Sequence, residues 1–129
     1  MTEAVVLGFD FGARRTGVSI ANTLTRSARP LTTIEAATNE GRWSAIGALI
    51  EEWQPAALVV GVPRHPDGTP HEMTLRCERF ARQLVGRYGR PVTCVDERYS
   101  SAVSAAANDI DAQAAAIILQ QWLDGASDA

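Results

Sequence analysis

The sequence contains no lysine. All 12 basic side chains are arginines, set against 15 acidic ones, for a net charge of −3. With a pI of about 5.3, such a chain is not a polybasic wrapper of nucleic acid. An enzyme with an acidic centre is not excluded, since that centre would itself lower the count. Cysteine is scarce too. Cys77 and Cys94 make no CxxC pair and have no histidine at ligand spacing. They read as two small core residues in a reduced compartment. No apolar run approaches the ~20 residues of a membrane span. The first residues lack a basic-then-apolar signal layout, so the expected location is the cytoplasm, with no membrane partner. Repeats, low-complexity tracts and linkers are also missing. What remains is a single expected domain, residues 1–129. A hydrophobic share of 46% with 21% charged residues suffices for one core without disulfides. The 21 alanines and the all-arginine basic set read as codon bias. Arginine is nonetheless the better bidentate phosphate ligand.

The apolar run Ala4 to Phe9 predicts a buried strand ending near Asp10. A turn over Gly12 to Gly17 and an alternating stretch Val18 to Ala21 complete a hairpin. Leu31 to Ile34, after Pro30, predicts a third strand. A helix capped by Asn39 follows, with Trp43, Ile46, Ile50 and Trp53 on one stripe, ended by Pro55. Ala56 to Gly61 is apolar throughout, as in a strand covered on both faces. A proline-rich loop carries His65 and His71, which read as solvated. A second helix is predicted from Glu72 to Tyr88, with Met73, Cys77, Phe80, Ala81, Leu84 and Tyr88 as its apolar stripe. Gly89 suits its C-terminal end. Val92 to Val95 gives a fifth strand, Ser100 to Ala107 a short helix, and Asp111 to Leu123 a last helix with Ile118 and Trp122 on one side. The order β-β-β-α-β-α-β-α-α implies an α/β protein with a mixed sheet and helices on both faces.

Three acidic residues stand at element ends. Asp10 closes the first strand between aromatic residues and glycines. It is either a turn aspartate or a buried acid needing a partner or a metal. Asp96-Glu97-Arg98 follows the fifth strand, as a cation site with an orienting or phosphate-contacting arginine, or as a surface ion pair. Asp111 opens the last helix and could simply cap it, a duty Asp109 could share. Together Asp10, Glu97 and Asp111 offer hard oxygen ligands from three elements, the donor set suited to Mg²⁺. Two such ions with substrate bound can activate a water and stabilise a leaving oxygen in phosphodiester hydrolysis.

At these residues the sequence resembles the YqgF (RuvX-like) family of ribonuclease H-like proteins. To that family, cleavage of pre-16S ribosomal RNA and Holliday-junction resolution are ascribed. The resemblance covers nearly the whole chain and rests on four segments in order. These are Leu7 to Gly12 with Arg15 to Val18; Val59 to Pro63 with Asp67 to Thr69; Asp96 to Ser101; and Asp111 to Ala115 leading into Ile117 to Gln120. It implies a ribonuclease H-like fold with a five-stranded mixed sheet and helices on both faces. It also puts Asp10, Glu97 and Asp111 on the family's acidic active-site positions, with Asp96 as the alternative metal ligand. Members often carry a longer, basic stretch before the last-helix aspartate. Here 13 residues separate Glu97 from Asp111, and none after Arg98 is basic. Phosphate contacts would then come from Arg14 and Arg15 in the hairpin turn, with Arg64 and Arg98 as further candidates. Arg76, Arg79 and Arg82, spaced by three near Glu72 and Glu78, read as a solvated helix face, though that helix is another source of phosphate contacts.

The expected function is a Mg²⁺- or Mn²⁺-dependent endonuclease acting on pre-ribosomal RNA, with branched DNA as the alternative substrate. The competing class is a non-cleaving nucleic-acid-binding module of ribosome assembly. The stretch Gly8 to Gly12 followed by Thr16-Gly17 is also similar to the first phosphate loop of actin and sugar-kinase proteins. Those proteins close two such domains over ATP, which one domain of this size cannot do. The expected assembly is a monomer or weak homodimer, since cleaving a junction symmetrically would call for two copies.

Overall fold

The computed structural model describes residues 4–65, 67–98 and 110–126. The helix expected over Ser100 to Ala107, Asp109, and the Arg98 side chain lie outside the described residues. The order is β1 (Val5–Phe11), β2 (Arg15–Asn22), β3 (Ser27–Glu35), α1 (Asn39–Trp53), β4 (Ala57–Arg64), α2 (Thr74–Tyr88), β5 (Val92–Arg98) and α3 (Ile110–Ala126). The sheet runs β3-β2-β1-β4-β5. Its first half is an antiparallel meander, while β4 and β5 join β1 in parallel. This is the mixed five-stranded sheet expected.

Each strand's alternation divides its side chains between two cores. Leu7, Phe9, Val18, Ile20, Leu58 and Val60 face α1 and α2, where Ile46, Ile50, Phe80 and Leu84 complete the larger core. Phe80 is its hub, stacked on Phe11 at 4.6 Å and Trp43 at 5.4 Å, with Phe9 edge-on at 5.8 Å. Val6, Ala21 and Val59 face the other way and meet Ile118, Leu119 and Leu123 of α3. Fully burying one such side chain contributes about 1.5–3 kcal/mol, so both helix layers are held chiefly by apolar contact. Polar links fix the register of α3. The buried Ser19 hydroxyl donates to the Ala115 carbonyl at 2.7 Å, and the Gln120 amide pairs with backbone groups of Ala28 and Arg26.

Several boundaries differ from the expectation. Thr38, not Asn39, caps α1: its backbone is extended and its hydroxyl accepts from Gly41 N–H at 3.0 Å. Asn39 instead accepts from Arg42. Strand β3 starts at Ser27, ahead of Pro30, which it tolerates because it is an edge strand with a register shift opposite Val18 and Ser19. Helix α2 begins at Thr74, whose hydroxyl donates to the Pro63 carbonyl and accepts from His71 N–H. Cys77 is buried but Cys94 is exposed, because β5 is the other sheet edge; the pair of core cysteines is thus corrected to one. His65 is exposed, whereas His71 is half-buried, its Nδ1 accepting from Met73 N–H. Among the described residues, no helix is long and apolar enough to cross a membrane.

Candidate active site

Asp10 pairs with Gly17 across the β1–β2 ladder, so both face the same side of the sheet. That side is covered by α3. A Cβ on Gly17 would collide with the Asp111 carbonyl, and a Cβ on Gly61 with the Ile118 side chain, both closer than the 3.0 Å that real Cβ atoms keep. Glycine at these two positions lets α3 lie close on the sheet. Its first turn then brings Asp111 beside Asp10. Asp111 lies inside that turn, so it occupies a helical position rather than a flanking one.

Glu97 joins them from β5. Its Cγ is 3.5 Å from where a Gly61 Cβ would stand, which puts it on the α3 face. Asp96, one residue earlier, points to the other face. There it accepts from Arg64 Nε at 2.7 Å, and Arg64 also reaches Glu78 of α2 at 3.6 Å. Strand alternation thus separates the two adjacent carboxylates. Glu97 shares the side of Asp10 and Asp111.

The electrostatics reflect this gathering. Burial, then the charges of Asp111 and Glu97, pushes the Asp10 carboxyl up to about 7. Burial, then neighbouring Asp96, raises Glu97, while a hydrogen bond from Gln121 acts the other way. Glu97 Oε1 and Asp111 Oδ2 are buried without a hydrogen-bond partner. Arg15 offers partial compensation: it pairs with Glu35 at 3.1 Å and stands 3.8 Å from Asp111 Oδ2. Among the described residues, no three carboxylate, imidazole or thiol groups are drawn together tightly enough to form a ready-made metal cage. The donors nonetheless fit a hard divalent cation. All are carboxylate oxygens, two are orphaned, and their mutual repulsion asks for positive charge. An ion that keeps several waters needs only one or two of them directly.

Arg14 is exposed in the β1–β2 turn, beside Arg15. Burial pushes the Cys77 thiol up to about 12, with the Asp10 charge adding to it, which keeps it from acting as a nucleophile. Sequence reasoning missed Arg42. This arginine, 6% exposed, donates to the carbonyls of Gly12 and Ala13 and to Asn39 Oδ1, and its guanidinium lies 4.7 Å from the Phe11 ring centre. It braces the turn just beyond Asp10. The signal was present: Arg42, Ile46 and Ile50 share one helical stripe, an odd place for a charge.

Comparison with known proteins agrees with this architecture. A protein of Paraburkholderia xenovorans (strain LB400) named "Putative pre-16S rRNA nuclease" is 54% identical over 134 residues, covering 98% of this chain and 92% of that one. One of the same name from Burkholderia ambifaria (strain MC40-6) is 54% identical over 138 residues, covering 98% and 93%. Among solved structures, T. thermophilus RuvC in complex with a Holliday junction substrate superposes with a TM-score of 0.61 at 16% identity, over 97% of this chain and 96% of that one. The fowlpox virus Holliday junction resolvase gives 0.52 at 8% identity, over 94% and 99%. These two likenesses establish the ribonuclease H-like, resolvase-type fold. The family model described as "RuvX: Holliday junction resolvase" matches residues 4–125, and with relatives this similar over nearly the full length, the chain belongs to the RuvX family.

Proposed function

We propose that this protein is a divalent-metal-dependent endonuclease that hydrolyses phosphodiester bonds, with pre-16S ribosomal RNA near its 5′ end as substrate. The observation that carries the proposal is the gathering of Asp10, Glu97 and Asp111 on one face of the sheet, with the Asp10 carboxyl pushed up to about 7 by burial and by the other two. The names of the 54% identical relatives support the RNA substrate.

Asp10, Glu97 and Asp111 would hold Mg²⁺ or Mn²⁺, two ions when substrate is bound. Such ions supply an activated water and offset charge on the leaving oxygen. The chain's own part is to hold the three carboxylates on rigid elements, so that little reorganisation is needed on binding. Asp96, turned to Arg64, serves as a brace for the end of β5 rather than as a ligand. Arg14 in the β1–β2 turn and Arg15 at the start of β2 extend the site and would contact backbone phosphates. Arg64, held between Asp96 and Glu78, is the weaker candidate. The protein works as a single domain in the cytoplasm, as a monomer or weak homodimer.

A second reading, a resolvase of branched DNA, is favoured by the family description and by the likeness to RuvC. Both are tested together. Purified protein is offered a precursor ribosomal RNA fragment and a four-way DNA junction with Mn²⁺, beside Asp10→Asn. Cleavage of the RNA alone supports the first reading, and paired symmetric cuts in the junction the second. Equal cutting by Asp10→Asn refutes the carboxylate site.

A further inference from the structure

On the sheet face away from α3, a cavity of about 160 Å³ opens between α1 and α2 beside Phe11. Three guanidinium groups line it: Arg42 from α1, and Arg76 and Arg79 from α2. No carboxylate lines it. Nor, among the described residues, does any acid form an ion pair with these three arginines; the only partners of Arg42 are neutral carbonyl and amide oxygens and the Phe11 ring. A buried charge without a counter-charge is costly, and here a second cation, Arg76, stands close enough to lower the Arg42 pKa further. By contrast, Arg15 and Arg64 each reach two carboxylates.

The cavity is smaller than the roughly 300–1,000 Å³ of sites that enclose a drug-sized ligand, so it suits one small group rather than a nucleotide. Base stacking is also disfavoured, because Trp43 already has Phe80 against its ring at 5.4 Å and Arg87 over it at 4.2 Å. An anion with several acceptor oxygens fits: guanidinium forks match phosphate geometry, and Asn39 and Gln83 add neutral donors at the wall. Position matters as well. Arg42 grips the Gly12 and Ala13 carbonyls, so the cavity lies just across the β1–β2 turn from Arg14 and Arg15. We propose that Arg42, Arg76 and Arg79 form a second phosphate-binding notch, taking a backbone phosphate of a nucleic-acid strand that passes over this turn, or a free phosphate. The strand-bound form rests on the reading of the protein as a nucleic-acid enzyme.

The test uses the exposed pair, Arg76→Gln with Arg79→Gln, in the full chain, with circular dichroism to verify the fold and the two single variants as back-up. Binding of labelled single-stranded RNA and of a four-way junction is followed by anisotropy in EDTA across a salt series. A parallel titration with inorganic phosphate follows the arginine Nε–H resonances by NMR. Loss of about tenfold in nucleic-acid affinity, with a log–log salt slope shallower by roughly 1 per contact removed, supports the notch with the strand as its source. Unchanged nucleic-acid binding, with a phosphate-dependent shift of Arg42 that the double variant loses, supports it with free phosphate as its source. No change in either overturns it. Because nothing is cleaved in EDTA, failure here leaves the nuclease reading intact. Failure of the Asp10→Asn comparison would likewise leave the notch intact.

Discussion

The carbonyl oxygen of Asp111 lies where a side chain on Gly17 would have to be. Gly17 is also the ladder partner of Asp10, so one missing side chain sets both the approach of α3 and the meeting of two candidate ligands. Gly17→Ala must push the start of α3 outward against the anchor that Ser19 makes on Ala115. Overpacking of this kind costs about 1–3 kcal/mol. Gly86→Ala is the control. It lies in α2 with nothing within 4 Å of a new Cβ, and replacing a helical glycine gains about 0.5–1 kcal/mol. Urea titrations should move the two midpoints in opposite directions. A shift of the same sign in both would show that α3 does not rest on Gly17.

Asp10 gives a pH dependence whose sign follows from linkage. Its carboxyl is held up to about 7, against an ordinary value of 3.8. Between these values the folded state keeps a proton that the unfolded chain has lost. Stability contributed by that proton is therefore full below about pH 4, falls as pH rises through the window, and is gone above about 7. Glu97, raised in the same direction, adds to the trend. In metal-free buffer, Asp10→Asn should be more stable than the parent at pH 8, by a few kcal/mol at most, and should flatten the curve between pH 4 and 7. A parent curve as flat as that of the variant would mean that Asp10 is not buried among carboxylates.

Divalent metal should reverse the repulsion that raises Asp10. With Mn²⁺ or Mg²⁺ at 100 times its dissociation constant, a cation that binds only the folded state stabilises it by about 2.7 kcal/mol. The rise in unfolding temperature should shrink in Asp10→Asn and in Glu97→Gln, yet persist in Asp96→Asn, because Asp96 faces Arg64 on the opposite side of β5. Equal loss from Asp96→Asn and Glu97→Gln would contradict the assignment of ligands by strand face.

How much of this was readable beforehand depends on the range of each signal. Continuous β-branched runs marked β1 and β4, and the stripe of Trp43, Ile46, Ile50 and Trp53 marked α1, because these patterns are local. The acids at the ends of β1 and β5 and the start of α3 were legible as a set for the same reason. The choice between Asp96 and Glu97 was not, since it depends on which face α3 covers. Pairing of Arg64 with Asp96 spans 32 positions and left no local trace. Pro30 misled the start of β3, because edge placement is a property of the whole sheet. The role of Arg42 is not legible locally, because its carbonyl acceptors lie some 30 residues earlier.

The arginines make the last distinction. Arg14 is exposed at the turn, whereas Arg64 is already drawn to Asp96 and Glu78. A phosphate arriving at Arg64 would have to displace two carboxylates, whereas among the described residues no carboxylate forms an ion pair with Arg14. Affinity for RNA should fall steeply with added salt in the parent, since the lysine-free chain relies on a few arginines for its grip. Arg14→Gln should weaken binding and make the log–log salt slope shallower by roughly 1, the signature of one lost phosphate contact. Arg64→Gln should leave the slope as it was and instead lower the unfolding temperature, because Asp96 and Glu78 lose the cation between them. Anisotropy titrations between low and physiological salt, with thermal melts of the same samples, separate the two roles. A slope change in Arg64→Gln with none in Arg14→Gln would exchange them, and would place the nucleic-acid path along β4 and β5 rather than over the β1–β2 turn.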